Sequence, residues 1–134
     1  MIAYLSHSLG TGNGNDTVRR QDNIANALAW YAAITASSTI AIVMPWFQAV
    51  ACGLSELLRP IAYANQLRVL ERCEGFIMAG GVVSSHMTQE LTIARRHKLL
   101  VIDLTDLGFA PPPAGPDLSI LLHERESAAR LALR

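Results

Sequence analysis

The chain has 134 residues, room for one domain around one core and not for two. Apolar residues make up 51% of it and charged residues 16%, a balance that suits a parallel sheet covered on both faces and a buried subunit interface. Lys plus Arg and Asp plus Glu number 11 each, so the formal charge is zero, which argues against a nucleic acid polymer or an anionic membrane as partner.

Cys52 and Cys73 lie far apart without CxxC spacing. They read as small buried hydrophobes in a reducing compartment, and neither a disulfide framework nor a metal site is expected. No charged residue falls between Asp22 and Glu56, a run long enough to raise a membrane-spanning helix. Asn23, Asn26, Thr35, Ser37, Pro45 and Gly53 break it into pieces that fit a helix, a turn, a strand and a loop. The amino terminus lacks the basic flank and cleavage site of a secretory signal. The expectation is a cytoplasmic protein with no membrane partner.

Met1 to Ser6 (MIAYLS) predicts a buried first strand, and His7 to Asp16 (HSLGTGNGND) a glycine-rich loop. Asn15, Asp16 and Thr17 are candidate caps for a long helix from Thr17 to about Ala36. Its apolar positions Val18, Ile24, Ala25, Leu28, Tyr31 and Ala32 recur at helical spacing. Thr39 to Met44 (TIAIVM) is the second strand, ended by Pro45. A loop with a short helix is expected for Trp46 to Leu58, then a helix from Pro60 to about Cys73. Gly75 to Ala79 is the third strand, stopped by Gly80 and Gly81. Ser84 or Ser85 opens a helix through about His97, and Leu99 to Asp103 is the fourth strand. Leu107 to Pro116, with three consecutive prolines, reads as a connector without regular structure, part of a Pro-rich segment over 105–118. Leu118 to Leu122 suggests a fifth strand and Arg125 to Arg134 a closing helix.

Strands alternating with helices imply parallel pairing with right-handed crossovers, and a single α/β domain over 1–134. The architecture expected is a flavodoxin-like, doubly wound parallel sheet in three α/β/α layers, with strand order 2-1-3-4-5. Ligands of such sheets sit beyond the carboxyl ends of the strands, where the strand order reverses. The loops at those ends are His7 to Asp16, Pro45 to Gly53, Gly80 to Ser85 and Asp103 to Gly108.

The loop after the first strand is not a P-loop, because no Gly-Lys-Ser/Thr follows, and Gly10-Thr11-Gly12 does not continue as GxGxxG. A flexible connector explains it as well as a phosphate site does, although Ser6 and Ser8 lie where a ligand would sit, beside a helix start. Arg72 to Asp103 says more. A strand ends in Gly80-Gly81, a serine pair opens a helix, and Glu90 follows in the second turn, sharing a face with His86. A carboxylate near strand ends has the makings of a nucleophile or general base. On composition alone a helical glutamate is more often a solvated surface residue. Trp46 and Phe47 are core or interface residues by default, and Arg19, Arg95 and Arg96 solvated helix faces, while Arg20 is placed to reach a phosphate.

These segments together resemble the nucleoside 2-deoxyribosyltransferase superfamily, including its small phage and bacterial branches. The resemblance spans residues 1 to 105 and rests on short motifs. They are the strand Ile2-Ala3-Tyr4-Leu5-Ser6, a helix carrying Arg20 and Asn23, the run Cys73-Glu74-Gly75-Phe76-Ile77-Met78, and Ser84-Ser85-His86-Met87-Thr88-Gln89-Glu90, which keeps the family's Ser-to-Glu spacing. The resemblance implies cleavage or transfer at the N-glycosidic bond of a nucleoside or nucleotide, with Glu90 as nucleophile and Tyr4 positioning the carboxylate or sugar. It implies that Ser6, Ser8 and Ser84 hold a sugar hydroxyl or a 5′-phosphate. Arg20, Gly80, Gly81 and His86 complete the expected substrate-binding set. The chemistry would be that of a retaining glycosidase, with no cofactor and no metal. Family members often build sites across subunits, so a homodimer or larger homo-oligomer is expected. Two departures stand out: His86 replaces the family's glycine and Glu74 its aspartate. No family residue supplies an acid for the leaving base, a task open to His7 or His86 on chemical grounds. The rival readings are a non-catalytic nucleotide-binding or sensor module and an oligomeric scaffold with a vestigial pocket.

Overall fold

The computed structural model describes residues 1–10, 16–51, 53 and 58–134. Four strands, β1 (Ile2–His7), β2 (Ala41–Val43), β3 (Gly75–Ala79) and β4 (Leu100–Asp103), form one all-parallel sheet in the order β2-β1-β3-β4. Helices α1 (Asp16–Ser37), α2 (Pro45–Ala51), α3 (Arg59–Glu71), α4 (Ser85–Arg96) and α5 (Pro116–Ala132) cover both faces, which gives a flavodoxin-like α/β/α sandwich.

Alternation along the strands divides the core. Ala3, Leu5, Ile77, Ala79, Leu100 and Ile102 face one side and pack with Trp30 and Ile34 of α1 and Leu118 and Leu122 of α5. Tyr4, Phe76 and Met78 face the other, against Trp46 of α2, Leu70 of α3 and Met87 and Ala94 of α4. The register is explicit: Tyr4 pairs with Val43 on one side and Phe76 on the other, and Ser6 pairs with Met78.

The expected fifth strand is absent: Leu118 to Leu122 is the first part of α5. Pro116 supplies a helix-compatible φ in the first turn, and Asp117 places negative charge at the positive end of the helix. A strand would have put Leu118, Ile120 and Leu122 on one face; the helix buries Leu118 and Leu122 and leaves Ile120 58% exposed. The closing helix therefore starts at Pro116, not Arg125, and packs on β4 and α1. His7 ends β1 and does not begin the loop.

Helix α1 begins at Asp16, so of the cap candidates Asp16 and Thr17 fall inside it; Asn15 lies outside the described residues, as do Thr11 to Gly14 and Cys52. Cys73 is a buried free thiol, as its type predicts. After a short 3₁₀ turn (Thr105–Leu107) the Pro-rich connector has no regular structure, yet α1 pins it. Trp30 Nε1 and Asn26 Nδ2 both donate to the Phe109 carbonyl, at 2.7 and 2.6 Å, and the Gly115 amide donates to Ser37 Oγ at 3.0 Å. No helix among the described residues is long and apolar enough to cross a membrane.

Candidate functional site

The chain leaves β1 for β2 on one side and reaches β3 on the other, so the strand order reverses between β1 and β3. At the carboxyl ends of these two strands an open cleft of about 770 Å³ is bordered by β1, α1, α2, α3 and the start of α4. That volume lies within the range of sites for small ligands and cofactors.

Glu90 stands at the base of this cleft. It is only 6% exposed on α4, and Ser6, fully buried on β1, donates its hydroxyl to Glu90 Oε1 at 2.9 Å. Burial pushes the Glu90 carboxyl above its ordinary range, and the Ser6 and Tyr4 hydroxyls pull it partly back by favouring the anion. The Tyr4 hydroxyl is buried beside the same carboxylate, without the geometry of a formed hydrogen bond to any described residue. Burial, and then the neighbouring Glu90 charge, raise the Tyr4 phenol far above its usual value, which keeps it protonated and able to donate. Its ring stacks on Phe76 at 6.0 Å between centroids.

Helix α4 starts at the cleft rim. Ser84 takes the extended conformation of an N-cap, and its Oγ accepts from the Met87 amide at 3.3 Å. The amides of Ser85 and His86 belong to the first turn, where a helix has no internal acceptors for them, and both residues line the cleft with Ser84. This arrangement can receive an anionic group. Ser8 and Arg20 also line the cleft. The Nε atom of Arg20 is buried without a hydrogen-bond partner among the described residues.

Gly80 and Gly81 do not reach the cleft wall; their lack of side chains serves packing. Both have positive φ, 101° and 77°. A Cβ at Gly80 would lie 2.5 Å from His7 Nε2, and one at Gly81 would lie 3.0 Å from the backbone at Gly108 and Phe109. Tyr4 and Ser6 lie one layer below, acting on the cleft through Glu90.

The two histidines differ. His7 is buried with both ring nitrogens engaged. Nδ1 lies 2.7 Å from the Ser8 carbonyl, which can only accept, so Nδ1 carries the proton and Nε2 accepts from Asn26 Nδ2 at 2.9 Å. Burial lowers its pKa and the Ser8 contact opposes the shift, favouring a neutral ring. His86 is exposed in the cleft and touches the Tyr63 ring at 5.4 Å between centroids, tilted by 36°. Tyr63 in turn donates to Gln89 Oε1 at 2.9 Å.

Several wall residues escaped the sequence reading. Arg59, Tyr63 and Gln66 are spaced along one face of α3 and all line the cleft. That spacing was visible in the sequence, but the packing of α3 on α4 decides what the face meets. Trp46, expected in the core, is buried with Nε1 donating to the Leu5 carbonyl at 2.8 Å, and it also forms part of the wall.

Among the described residues no group of three His, Cys, Asp or Glu side chains is close enough to hold a metal ion. No protein-family model, curated protein or solved structure matches the chain.

Proposed function

We propose that the protein cleaves or transfers the N-glycosidic bond of a nucleoside or nucleotide, with Glu90 as the nucleophile. The observation that carries this reading is a buried carboxylate with no cation partner among the described residues, held by Ser6 at the base of a ligand-sized cleft. A surface glutamate needs no such holder. The cost of burying a carboxylate is offset where its charge meets a developing oxocarbenium ion.

In this reading Glu90 attacks the anomeric carbon, the base departs with the bonding electrons, and a glycosyl ester forms. Water or a second base then takes the sugar and restores the carboxylate. The Ser6 hydroxyl aims one carboxylate oxygen, and Tyr4, buried beside it, supports the anion. The first-turn amides of α4, with Ser84, Ser8 and Arg20, receive a 5′-phosphate or sugar hydroxyl. The setting proposed is cytoplasmic, in a homodimer or larger homo-oligomer.

The test incubates the protein and its Glu90→Ala variant with a panel of nucleosides and 5′-monophosphates and separates free base by chromatography. Base released by the parent alone supports the reading; equal release from the variant removes Glu90 as nucleophile. One observation favours a second reading, a binding module that does not cut: the His86 side chain occupies the cleft one turn from Glu90. Nucleotides that raise the melting temperature while no base is released would select it.

A further inference from the structure

Breaking an N-glycosidic bond leaves an electron pair on a base nitrogen, and a poor leaving group needs a proton there. We infer that His86 is the general acid that protonates the departing base, an assignment that rests on Glu90 acting as nucleophile.

Three observations carry it. His86 and Glu90 line the same cleft from one face of α4, a single turn apart. Side chains at that spacing have Cβ atoms about 5–6 Å apart, close enough for both to reach one bound nucleoside. Glu90 is buried at the base while His86 is exposed toward the mouth, so a sugar on Glu90 carries its base on the His86 side. Lastly, the imidazole packs on the ring of Tyr63, itself tied to Gln89, and neither ring nitrogen has a hydrogen-bond partner among the described residues. His7, the other histidine at the cleft, is ruled out because Ser8 and Asn26 occupy both its nitrogens.

The step balances. The Glu90 carboxylate forms a bond to the anomeric carbon as the carbon–nitrogen bond breaks, and the pair left on nitrogen takes the proton of the His86 imidazolium. The products are a glycosyl ester, a neutral imidazole and the free base. When water attacks the ester, neutral His86 removes its proton and Glu90 leaves as carboxylate.

The experiment compares 2′-deoxyguanosine 5′-monophosphate with its N7-methylated counterpart, whose cationic base departs without a proton. Both are offered to the parent and to His86→Ala, His86→Gln and Glu90→Ala, with spontaneous loss of the methylated base subtracted. Expected is a loss of about 100-fold or more in kcat/KM for both His86 variants on the unmethylated substrate, and a far smaller loss on the methylated one. Glu90→Ala should fail on both. Equal losses for the His86 variants on the two substrates would overturn the assignment while leaving Glu90 in place. If the parent released base from neither of these nor from any member of the panel above, the glycosidic reading itself would fall and the assignment with it. His86 is exposed in the first turn of α4, so its variants should melt as the parent does, which circular dichroism checks.

Discussion

The Ser6 hydroxyl and the Glu90 carboxylate, 84 positions apart in sequence, meet at 2.9 Å where the first strand passes under the fourth helix. Removing the donor should show how much this contact aims and activates the carboxylate. Ser6→Ala leaves Glu90 as buried as before with one donor fewer, so its pKa, already raised, should rise further. The acid limb of the pH–rate profile should move to higher pH, and turnover at neutral pH should fall about tenfold, as expected for losing a hydrogen bond to a charged group. An unmoved limb would mean that Ser6 only packs.

Glu90→Gln should stabilise the fold while abolishing activity. The carboxyl pKa is raised in the folded state above its ordinary 4.5, so the folded protein binds this proton more tightly than the unfolded chain. Stability from this group is therefore complete below the ordinary value and is lost as pH rises through the raised one. The amide removes that loss. Its melting temperature should exceed the parent's at pH 8, with a gain on the order of 1 kcal/mol, and match it near pH 4. A variant less stable at pH 8 would show that the charge is compensated.

His7 should act with the opposite sign. Its folded pKa is lowered by burial, so the unfolded chain binds the proton first as pH falls. The stability it contributes is present above the ordinary value near 6.5 and is lost as pH drops through the depressed one. Protonation would also set an N–H against the Asn26 amide, which already donates to the Phe109 carbonyl. Thermal melts from pH 7 to 5 should therefore show a smaller acid-side loss for His7→Gln than for the parent.

Gly80→Ala tests the packing role of the glycine pair. The added methyl would lie 2.5 Å from His7 Nε2, at a backbone φ of 101° that side chains avoid. Strain and overpacking together should cost about 3 kcal/mol by chemical denaturation. Gly108→Ala, also at positive φ but with open space around its Cβ, should cost less.

Most of the sandwich is legible in the chain because local chemistry and fold agree there. Gly75 to Ala79 is apolar and flanked by breakers, and it forms a central strand buried at every position. Ser84 caps the helix it was expected to open. On α1 the expected apolar positions Ala25, Leu28, Tyr31 and Ala32 are exposed, and Ala27, Trp30, Ala33 and Ile34 are buried instead. Another exception is Leu118 to Leu122, where a short apolar run fits strand and helix equally well. Pro116 and contacts with β4 and α1 settle it as helix.

The sequence alone singled out the residues proposed to carry the chemistry: Ser6 on the first strand, and Ser84, His86 and Glu90 at the opening of one helix. Those are properties of residue type and period, and they need no partner. It could not decide which polar side chains are spent on holding the fold together. Only the tertiary structure places Glu90 over Ser6 and Tyr4, engages both nitrogens of His7 and leaves those of His86 without partners among the described residues. It also turns Gly80 and Gly81 from ligand contacts into packing residues. The reason is physical: a side chain's ionisation and availability depend on its burial and on neighbours brought from distant parts of the chain, and a linear pattern encodes neither.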